Sequence, residues 1–258
     1  MSVILNEAAC AEYIINQGKT GRNPTSALFL LAKYYRHKKH MNTEQISAQL
    51  KNFMKLNYKN FNPVLWDDTI EDIVSKSTRY PLREIDSVGI TQSELDKISQ
   101  IPNIKHRQIL FTMLCYAKLY NTFLPNNNNW VNSNIPEIFK TAAVSVRHKN
   151  DRFLYLNDIA NFGLISFPNK NDNLNIRVNF VDMDSEAVME IDDFRELGYE
   201  YLNYIGEGRF VRCSICKRLI KQTGRRSKYC AECRHQKQKE WQKNSMKKHS
   251  QNRNNEVL

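Results

Sequence analysis

Two pairs of cysteines near the C-terminus are the residues whose types and spacing are best suited to chemistry. Cys213 and Cys216 form one Cys-x-x-Cys pair, and Cys230 and Cys233 form the other. Each pair can turn two thiolates toward one ion, and two pairs joined by a loop complete the tetrahedral ligand set of a structural zinc site. We therefore predict that these four cysteines bind one Zn²⁺ ion.

The alternative for these cysteines is a pair of disulfides. Disulfides require an oxidising compartment, and the N-terminus carries no cleavable signal with a basic start and an apolar stretch. We therefore favour the metal and expect a cytoplasmic protein. The remaining cysteines, Cys10 and Cys115, stand among apolar residues and are predicted to be buried thiols.

The charge of the chain is concentrated around these cysteines. The net charge is +11, and residues 207–258, with 15 basic and 4 acidic residues, account for all of it. Residues 182–200 contain eight acidic residues and one basic residue. A basic end interleaved with Tyr229 and Trp241 favours contact with nucleic acid over a merely solvated surface. Its basic residues surround the predicted helix and leave little apolar face, which argues against a membrane surface.

The order of residue types in this tail is informative. Cys213-Ser-Ile-Cys216 is followed by Gly224-Arg-Arg-Ser-Lys-Tyr-Cys230-Ala-Glu-Cys233-Arg and then by a basic helical pattern. This resembles the treble-clef or zinc-ribbon tails of phage and mobile-element proteins. We expect the loop and helix to present seven basic side chains to phosphates: Arg225, Arg226, Lys228, Arg234, Lys237, Lys239 and Lys243.

The middle of the chain alternates helices with short strands. Thr91 and Glu94 form a capping box, a long helix is predicted over 105–120, and Trp130-Val131 is a predicted strand. Asn134 should begin a second helix, and Ser145 a third that ends at Gly163. The alternation of apolar residues after Gly163 predicts a β-hairpin with one buried face.

Helix, strand, helix, helix and hairpin in this order resemble a winged helix-turn-helix over residues 104–182. The resemblance implies that the third helix enters a major groove and that the hairpin approaches phosphates. It would assign DNA contacts to Arg147, His148, Lys149, Arg152, Lys170 and Arg177. Winged helices also serve as protein-interaction modules, and Asp151 and Asp158 dilute the positive charge of this helix, so both roles remain open.

The first 80 residues predict a small helical domain. Asn23-Pro24, Asn42 with Gln45, and Asn62-Pro63 each mark the start of a helix. Residues 25–81 weakly resemble the helical C-terminal domain of phage and plasmid primases, and we transfer no functional residue from that similarity.

We find no catalytic constellation in the sequence. Gly18-Lys19-Thr20 lacks the earlier glycine of a phosphate-binding loop. Asp182 and Asp184 follow a strand and could bind Mg²⁺, but the chain offers too few strands to place the further carboxylates that a two-metal enzyme needs. We therefore expect a protein that is not an enzyme.

These patterns predict a mainly α fold with small β elements. The expected parts are a helical domain (1–90), a winged-helix domain (91–182), an acidic linker segment (183–206) and a zinc-binding basic tail (207–258). We expect a phage or mobile-element protein that binds nucleic acid, DNA rather than RNA, in transcription regulation or replication initiation. Alternatives are an adaptor that contacts a polymerase, a helicase or a host defence factor and, less favoured, a metal-dependent nuclease or primase. Whether the chain forms a homodimer is left open by the sequence.

Overall fold

The computed structural model describes residues 3–21, 23–124, 126–168, 175–224 and 227–255, with the backbone alone over 247–255. Within these ranges the chain is mainly helical, with three small antiparallel sheets. The predicted fold class is thereby confirmed at the level of mainly α with small β. The chain divides into two compact units, Val3–Ser87 and the residues from Val88 on.

The first unit contains four helices. They are α1 (Glu7–Gln17), α2 (Pro24–Lys39), α3 (Thr43–Asn57) and α4 (Pro63–Ser77). Their shared core is aliphatic, with Leu28, Leu31, Ile46, Leu50 and Ile70 fully buried. Sequence analysis predicted α2, α3 and α4, and missed α1.

Asparagine caps explain where these helices begin. The side chain of Asn23 accepts a hydrogen bond at the start of α2, and Asn62 does the same at the start of α4. Asn42 and Gln45 form a reciprocal capping box at α3. The missed helix α1 is capped in the same manner by Asn6, whose side chain accepts from Ala9 N. The expected starts of α2, α3 and α4 are therefore confirmed.

The second unit is larger and contains all of the strands described. Its helices are α5 (Gln92–Ser99), α6 (Ile104–Phe123), α7 (Ile135–Thr141), α8 (Asp151–Asn161), α9 (Leu197–Tyr204) and α10 (Ala231–Asn255). Its strands are β1 (Val88–Thr91), β2 (Trp130–Val131), β3 (Ile165–Ser166), β4 (Ile176–Val178), β5 (Ala187–Ile191), β6 (Phe210–Arg212) and β7 (Leu219–Lys221).

Helix α6 forms the centre of this unit. It is buried on nearly all sides, and it packs against α5, α7, α8, α9 and the strands β1, β2 and β4. Phe111 and Tyr116 lie among the largest side chains that are completely buried. Cys115 is also fully buried, as predicted, and its burial raises the pKa of the thiol well above its ordinary value.

Residues 183–206 are folded, although their acidic composition led us to expect a linker. Strand β5 pairs antiparallel with β1, with Val88 opposite Ile191. Helix α9 packs on α6, where Tyr201 lies 5.2 Å from Phe111 between ring centroids. The apolar residues Ile191, Phe194 and Leu197 are buried, whereas the acidic Asp192 between them is exposed.

The sheet in the middle of the chain has the strand order β2-β4-β3. Trp130 lies opposite Arg177, and Ile165 lies opposite Val178. The elements α6, β2, α7, α8, β3 and β4 follow one another in the predicted order. The tip of the predicted hairpin lies outside the described residues.

The predicted start of the third helix of this region, α8, was wrong. Helix α8 begins at Asp151 and not after Ser145, because residues 148–153 form turns before the regular helix. In these turns the N–H groups of Asp151, Arg152 and Phe153 each donate to the carbonyl oxygen three residues earlier. The carboxylate of Asp151 also accepts from His148 N at 3.0 Å, which fixes the turn. Arg147, His148 and Lys149 therefore precede the helix, while Arg152 lies within it.

No helix in the described part of the chain is both long enough and apolar enough to cross a membrane.

Candidate metal centre and basic helix

The first two cysteines lie at the end of a β-hairpin formed by β6 and β7. Cys213 follows β6 directly, and its N–H donates to Arg218 O at 2.9 Å. Lys217 N donates back to Cys213 O at 2.9 Å, and Lys217 adopts a positive φ of 61°. The tight turn that results places Cys216 on the same side of the hairpin as Cys213.

The other two cysteines come from the start of α10. Cys230 immediately precedes the helix and Cys233 lies in its first turn. Ser214 N donates to Lys228 O at 3.0 Å, which joins the hairpin turn to the segment that leads into the helix. A turn from a hairpin and the first turn of a helix thus bring the two pairs together.

The four sulfur atoms form one cluster. All four lie within 4.8 Å of one another, and the sulfur atoms of Cys216 and Cys230 are 3.7 Å apart. A disulfide would need a separation of about 2.05 Å, and all four thiols are free. A zinc ion bonded to four sulfurs at about 2.3 Å would place them about 3.8 Å apart. The cluster therefore fits one tetrahedral metal ion.

Backbone N–H groups support the sulfur atoms. Cys230 N lies 3.4 Å from the sulfur of Cys213, and Cys233 N lies 3.4 Å from the sulfur of Cys230. Burial by itself would raise the pKa of Cys213, but the N–H groups of Cys216, Cys230 and Ile215 outweigh it and lower the pKa to about 6. The thiol of Cys213 therefore ionises readily to the thiolate, which is the form that binds metal.

Two other cysteines of the cluster, Cys216 and Cys233, behave in the opposite manner. Burial, followed by the neighbouring thiols, raises the pKa of Cys233. Burial also raises the pKa of Cys216. Thiolates packed this closely repel one another, and a divalent cation at their centre would remove the repulsion. The residues present therefore suit a resident cation better than they suit four unliganded thiols.

Two ion pairs attach this four-cysteine module, residues 209–246, to α9. Arg212 lies 3.2 Å from Glu200, and Arg218 lies 3.8 Å from Glu196 and 3.1 Å from Glu232. Burial raises the pKa of Glu196 and of Glu200, while the facing arginines lower it. Glu196 and Glu200 of the acidic segment thus contact the basic tail through Arg212 and Arg218, which lie on the β6–β7 hairpin of the tail.

Arg195 makes a further connection to the module. It binds the carboxylate of Asp193 through two nitrogens and donates to Cys216 O at 2.8 Å. The turn that carries Cys216 is therefore held by a side chain outside the tail. Sequence analysis missed Arg195, Arg212 and Arg218 as positioning residues because their partners lie on another element, a relation that spacing cannot reveal.

Helix α10 distributes its basic residues over two faces. With about 3.6 residues per turn, Arg234, Lys237 and Trp241 share one face, whereas Lys239 and Lys243 lie on the opposite face. All five side chains are exposed, and Trp241 is 70% exposed. We call Arg234, Lys237 and Trp241 the tryptophan face of α10.

Tyr229 extends the tryptophan face toward the metal centre. The ammonium of Lys237 lies 4.7 Å from the centre of its ring, and Lys237 Nζ is 3.3 Å from the hydroxyl. Lys228 is exposed directly before it. Arg225 and Arg226, which were also predicted to bind nucleic acid, lie outside the described residues.

The basic residues in the middle of the chain that were predicted to contact DNA lie in three separate places. Arg147 and Lys149 are exposed in the turn before α8, and Arg152 lies in its first turn. Arg177 is exposed on β4, where its Nε donates to Asn128 O at 3.2 Å. Lys170 lies outside the described residues. Lys149 and Arg152 border the same cleft, whereas Arg147 and Arg177 do not line it.

Of the two acidic residues considered for Mg²⁺, Asp182 has structural partners. Asp182 accepts hydrogen bonds from the N–H groups of Asp184 and Ser185, both at 3.1 Å. The side chain and N–H of Ser185 lower the pKa of Asp182 to about 2. This carboxylate therefore closes a turn after the hairpin.

Comparison with protein-family models, with curated proteins and with solved structures gave no match.

Proposed function

We propose that this is a zinc-containing protein that binds nucleic acid, with double-stranded DNA as its target. The observation that carries the proposal is the four-sulfur cluster joined directly to the basic helix α10. Zinc would hold the first turn of α10 against the hairpin, so that the exposed cations have fixed positions. Cations in fixed positions bind a phosphate backbone more tightly than cations on a flexible tail, because less conformational entropy is lost on binding.

Two further features support contact with DNA. The order of helices and strands from α6 to β4, with the sheet order β2-β4-β3, is the order expected of a winged helix. The tryptophan face of α10 combines two cations with an exposed indole, and such a combination suits phosphates together with bases or sugars. A regulator of transcription or a replication initiation factor of a phage or mobile element would use both surfaces.

The salt dependence of binding tests the proposal. We would measure the affinity of the full chain for a fluorescent duplex between 50 and about 200 mM salt, a range over which phosphate contacts change affinity strongly. We expect a steep fall of log K with log salt. A duplex that binds with a flat slope, or does not bind, would overturn the proposal.

Two matched double variants locate the contact on α10. Arg234→Gln with Lys237→Gln removes two charges from the tryptophan face, and Lys239→Gln with Lys243→Gln removes two from the opposite face. We expect the first variant to reduce the slope by about 1.8, at about 0.9 for each phosphate contact, and the second to have the smaller effect. Equal effects would show that net charge alone, and not this face, determines binding.

An adaptor is the second candidate function, and one surface favours it. The outer side of α8 exposes Leu154, Asp158 and Phe162, which recur every four residues. An apolar and acidic stripe is poorly suited to a major groove, whereas it suits a protein partner. A flat salt slope in the duplex experiment would favour this candidate.

A further inference from the structure

Two neighbouring clefts open beside the start of α8 and the sheet. The first has a volume of about 470 Å³ and is bordered by Lys149, Arg152 and Phe153 together with residues at the start of α7. The second has a volume of about 420 Å³ and is bordered by Trp130, Leu124 and Pro168. Each volume lies within the range of about 300–1,000 Å³ that is typical of small-molecule sites.

The clefts share a ridge of two amide side chains. Asn132 and Asn175 border both clefts, and Asn175 Nδ2 donates to Asn132 Oδ1 at 3.1 Å. Asn132 Nδ2 in turn donates to the buried Asn127 at 2.9 Å, and Asn127 donates to Trp130 O at 2.8 Å. The ridge is therefore held in place, and each side of it offers one aromatic ring.

The first cleft is also bordered by two cations. Arg152 lines it, with the central carbon of its guanidinium 5.9 Å from the centre of the Phe139 ring. The neighbouring Lys149 is exposed. The two cations therefore favour an anionic ligand, and the apolar floor of Ile135, Pro136 and Phe153 favours a flat, apolar group beside the anion.

We propose that the two clefts bind two successive unpaired nucleotides of a single strand. One base lies against Phe153 and the next against Trp130, the amides of Asn132 and Asn175 donate to and accept from base edges, and Lys149 and Arg152 contact the phosphates. Aromatic rings with adjacent cations are the general means by which proteins hold single strands. This proposal rests on the nucleic-acid-binding function proposed above, and it adds a single-stranded segment to the duplex as target.

The test compares single-strand and duplex binding by the full chain. We would measure the affinities of Phe153→Ala and of Tyr204→Ala for a fluorescent ten-nucleotide single strand and for a duplex. Phe153 is 45% exposed and Tyr204 is 44% exposed, so the control removes an aromatic ring of equal exposure outside both clefts. We expect Phe153→Ala to weaken single-strand binding about fivefold or more, with duplex binding unchanged, and Tyr204→Ala to change neither.

A second variant keeps the proposal testable if Phe153→Ala does not fold. Lys149 is exposed, and Lys149→Gln should reduce the salt slope of single-strand binding by about 0.7. Equal effects of the two aromatic variants, or an unchanged slope in Lys149→Gln, would overturn the proposal.

The outcomes also separate this proposal from the proposed function. Duplex binding without single-strand binding would overturn the two clefts as a nucleotide site and leave the proposed function standing. Loss of both duplex binding and single-strand binding would overturn the proposed function together with the nucleotide site in the clefts. Binding of an acidic, tyrosine-containing peptide that Phe153→Ala weakens, with single strands unbound, would assign the clefts to a protein partner instead.

Discussion

The side chain of Glu94 connects three parts of the second unit. It is fully buried, and its carboxylate accepts from Lys118 at 2.8 and 3.0 Å and from the N–H groups of Thr91 and Asp182, both at 2.8 Å. Lys118 also donates to Asp182 O at 2.6 Å. One buried ion pair therefore joins the start of α5, the C-terminal half of α6 and the segment that follows β4.

Replacement of Glu94 tests the importance of this pair. Glu94→Gln keeps the shape of the side chain but leaves the ammonium of Lys118 buried without its counter-charge, which should lower the free energy of unfolding by about 3–5 kcal/mol. Urea denaturation of the full chain, followed by a probe in the second unit, measures the loss.

The exposed pair of Asp72 and Lys76 provides the control for Glu94→Gln. Asp72 lies in α4 of the first unit, so its variant is followed by a probe in that unit. Asp72→Asn should change the free energy of unfolding by less than about 1 kcal/mol, because exposed ion pairs contribute little. If Glu94→Gln were no more damaging than Asp72→Asn, the buried pair would not have the structural role that we assign to it.

Sequence analysis found only the local half of this arrangement. Thr91 and Glu94 were recognised as a capping box because both residues lie in one short segment. Lys118 and Asp182 come from distant parts of the chain, so spacing could not indicate them. The four cysteines were recognised for the same reason as the capping box, since each pair is local and its chemistry is specific to thiols. Their arrangement in one cluster is confirmed, and zinc as the bound metal stays a prediction.

At the level of elements, the start of α9 lies very close to the C-terminal end of α7. An added Cβ at Gly198 would lie 1.8 Å from Ala142 O, the carbonyl at the C-terminal end of α7. That carbonyl also accepts from Gln108 Nε2 at 3.1 Å, so it cannot easily move. Only glycine at this position lets α9 pack against α7, and α9 in turn carries the carboxylates that hold the four-cysteine module.

We therefore expect Gly198→Ala to force α9 away from α7. The variant should lose about 3 kcal/mol of stability or more, at or above the usual cost of an overpacked core. The ion pairs of Glu200 with Arg212 and of Glu196 with Arg218 should weaken. Faster amide hydrogen exchange in β6 and β7 would report this change.

Gly224→Ala is the control for this substitution. An added Cβ at Gly224 meets no described atom within 4 Å. This variant should keep the stability of the natural chain. Equal stability of the Gly198 and Gly224 variants would show that α9 has room to adjust.

Two of the elements that were not predicted from the sequence share a physical cause. Helix α9 and strand β5 lie in the most acidic segment of the chain, and their charge concealed the buried residues Ile191, Leu197 and Tyr201. Strand β5 is also paired with β1 about a hundred residues earlier, a relation that local periodicity does not contain. The incorrect start of α8 arose because Ser145 matches a capping residue, whereas the local turns over 148–153 place the first helical residue at Asp151.

At the level of the whole molecule, the metal centre is attached to the rest of the second unit. The metal would join the β6–β7 hairpin to α10, and three arginines join the hairpin to α9 and the segment before it. Such a small module has little apolar core of its own, because its buried cluster is formed mainly by the cysteines themselves. Metal binding and folding of the module should therefore be one event, while the aliphatic core of Val3–Ser87 and the core around α6 do not depend on the metal.

The most direct test is the affinity of the full chain for duplex DNA before and after removal of the metal at constant salt. We expect the purified protein to contain one zinc ion per chain, and we expect its removal to weaken binding about tenfold or more, with recovery when Zn²⁺ is restored. An unchanged affinity in protein shown to be metal-free would contradict the account.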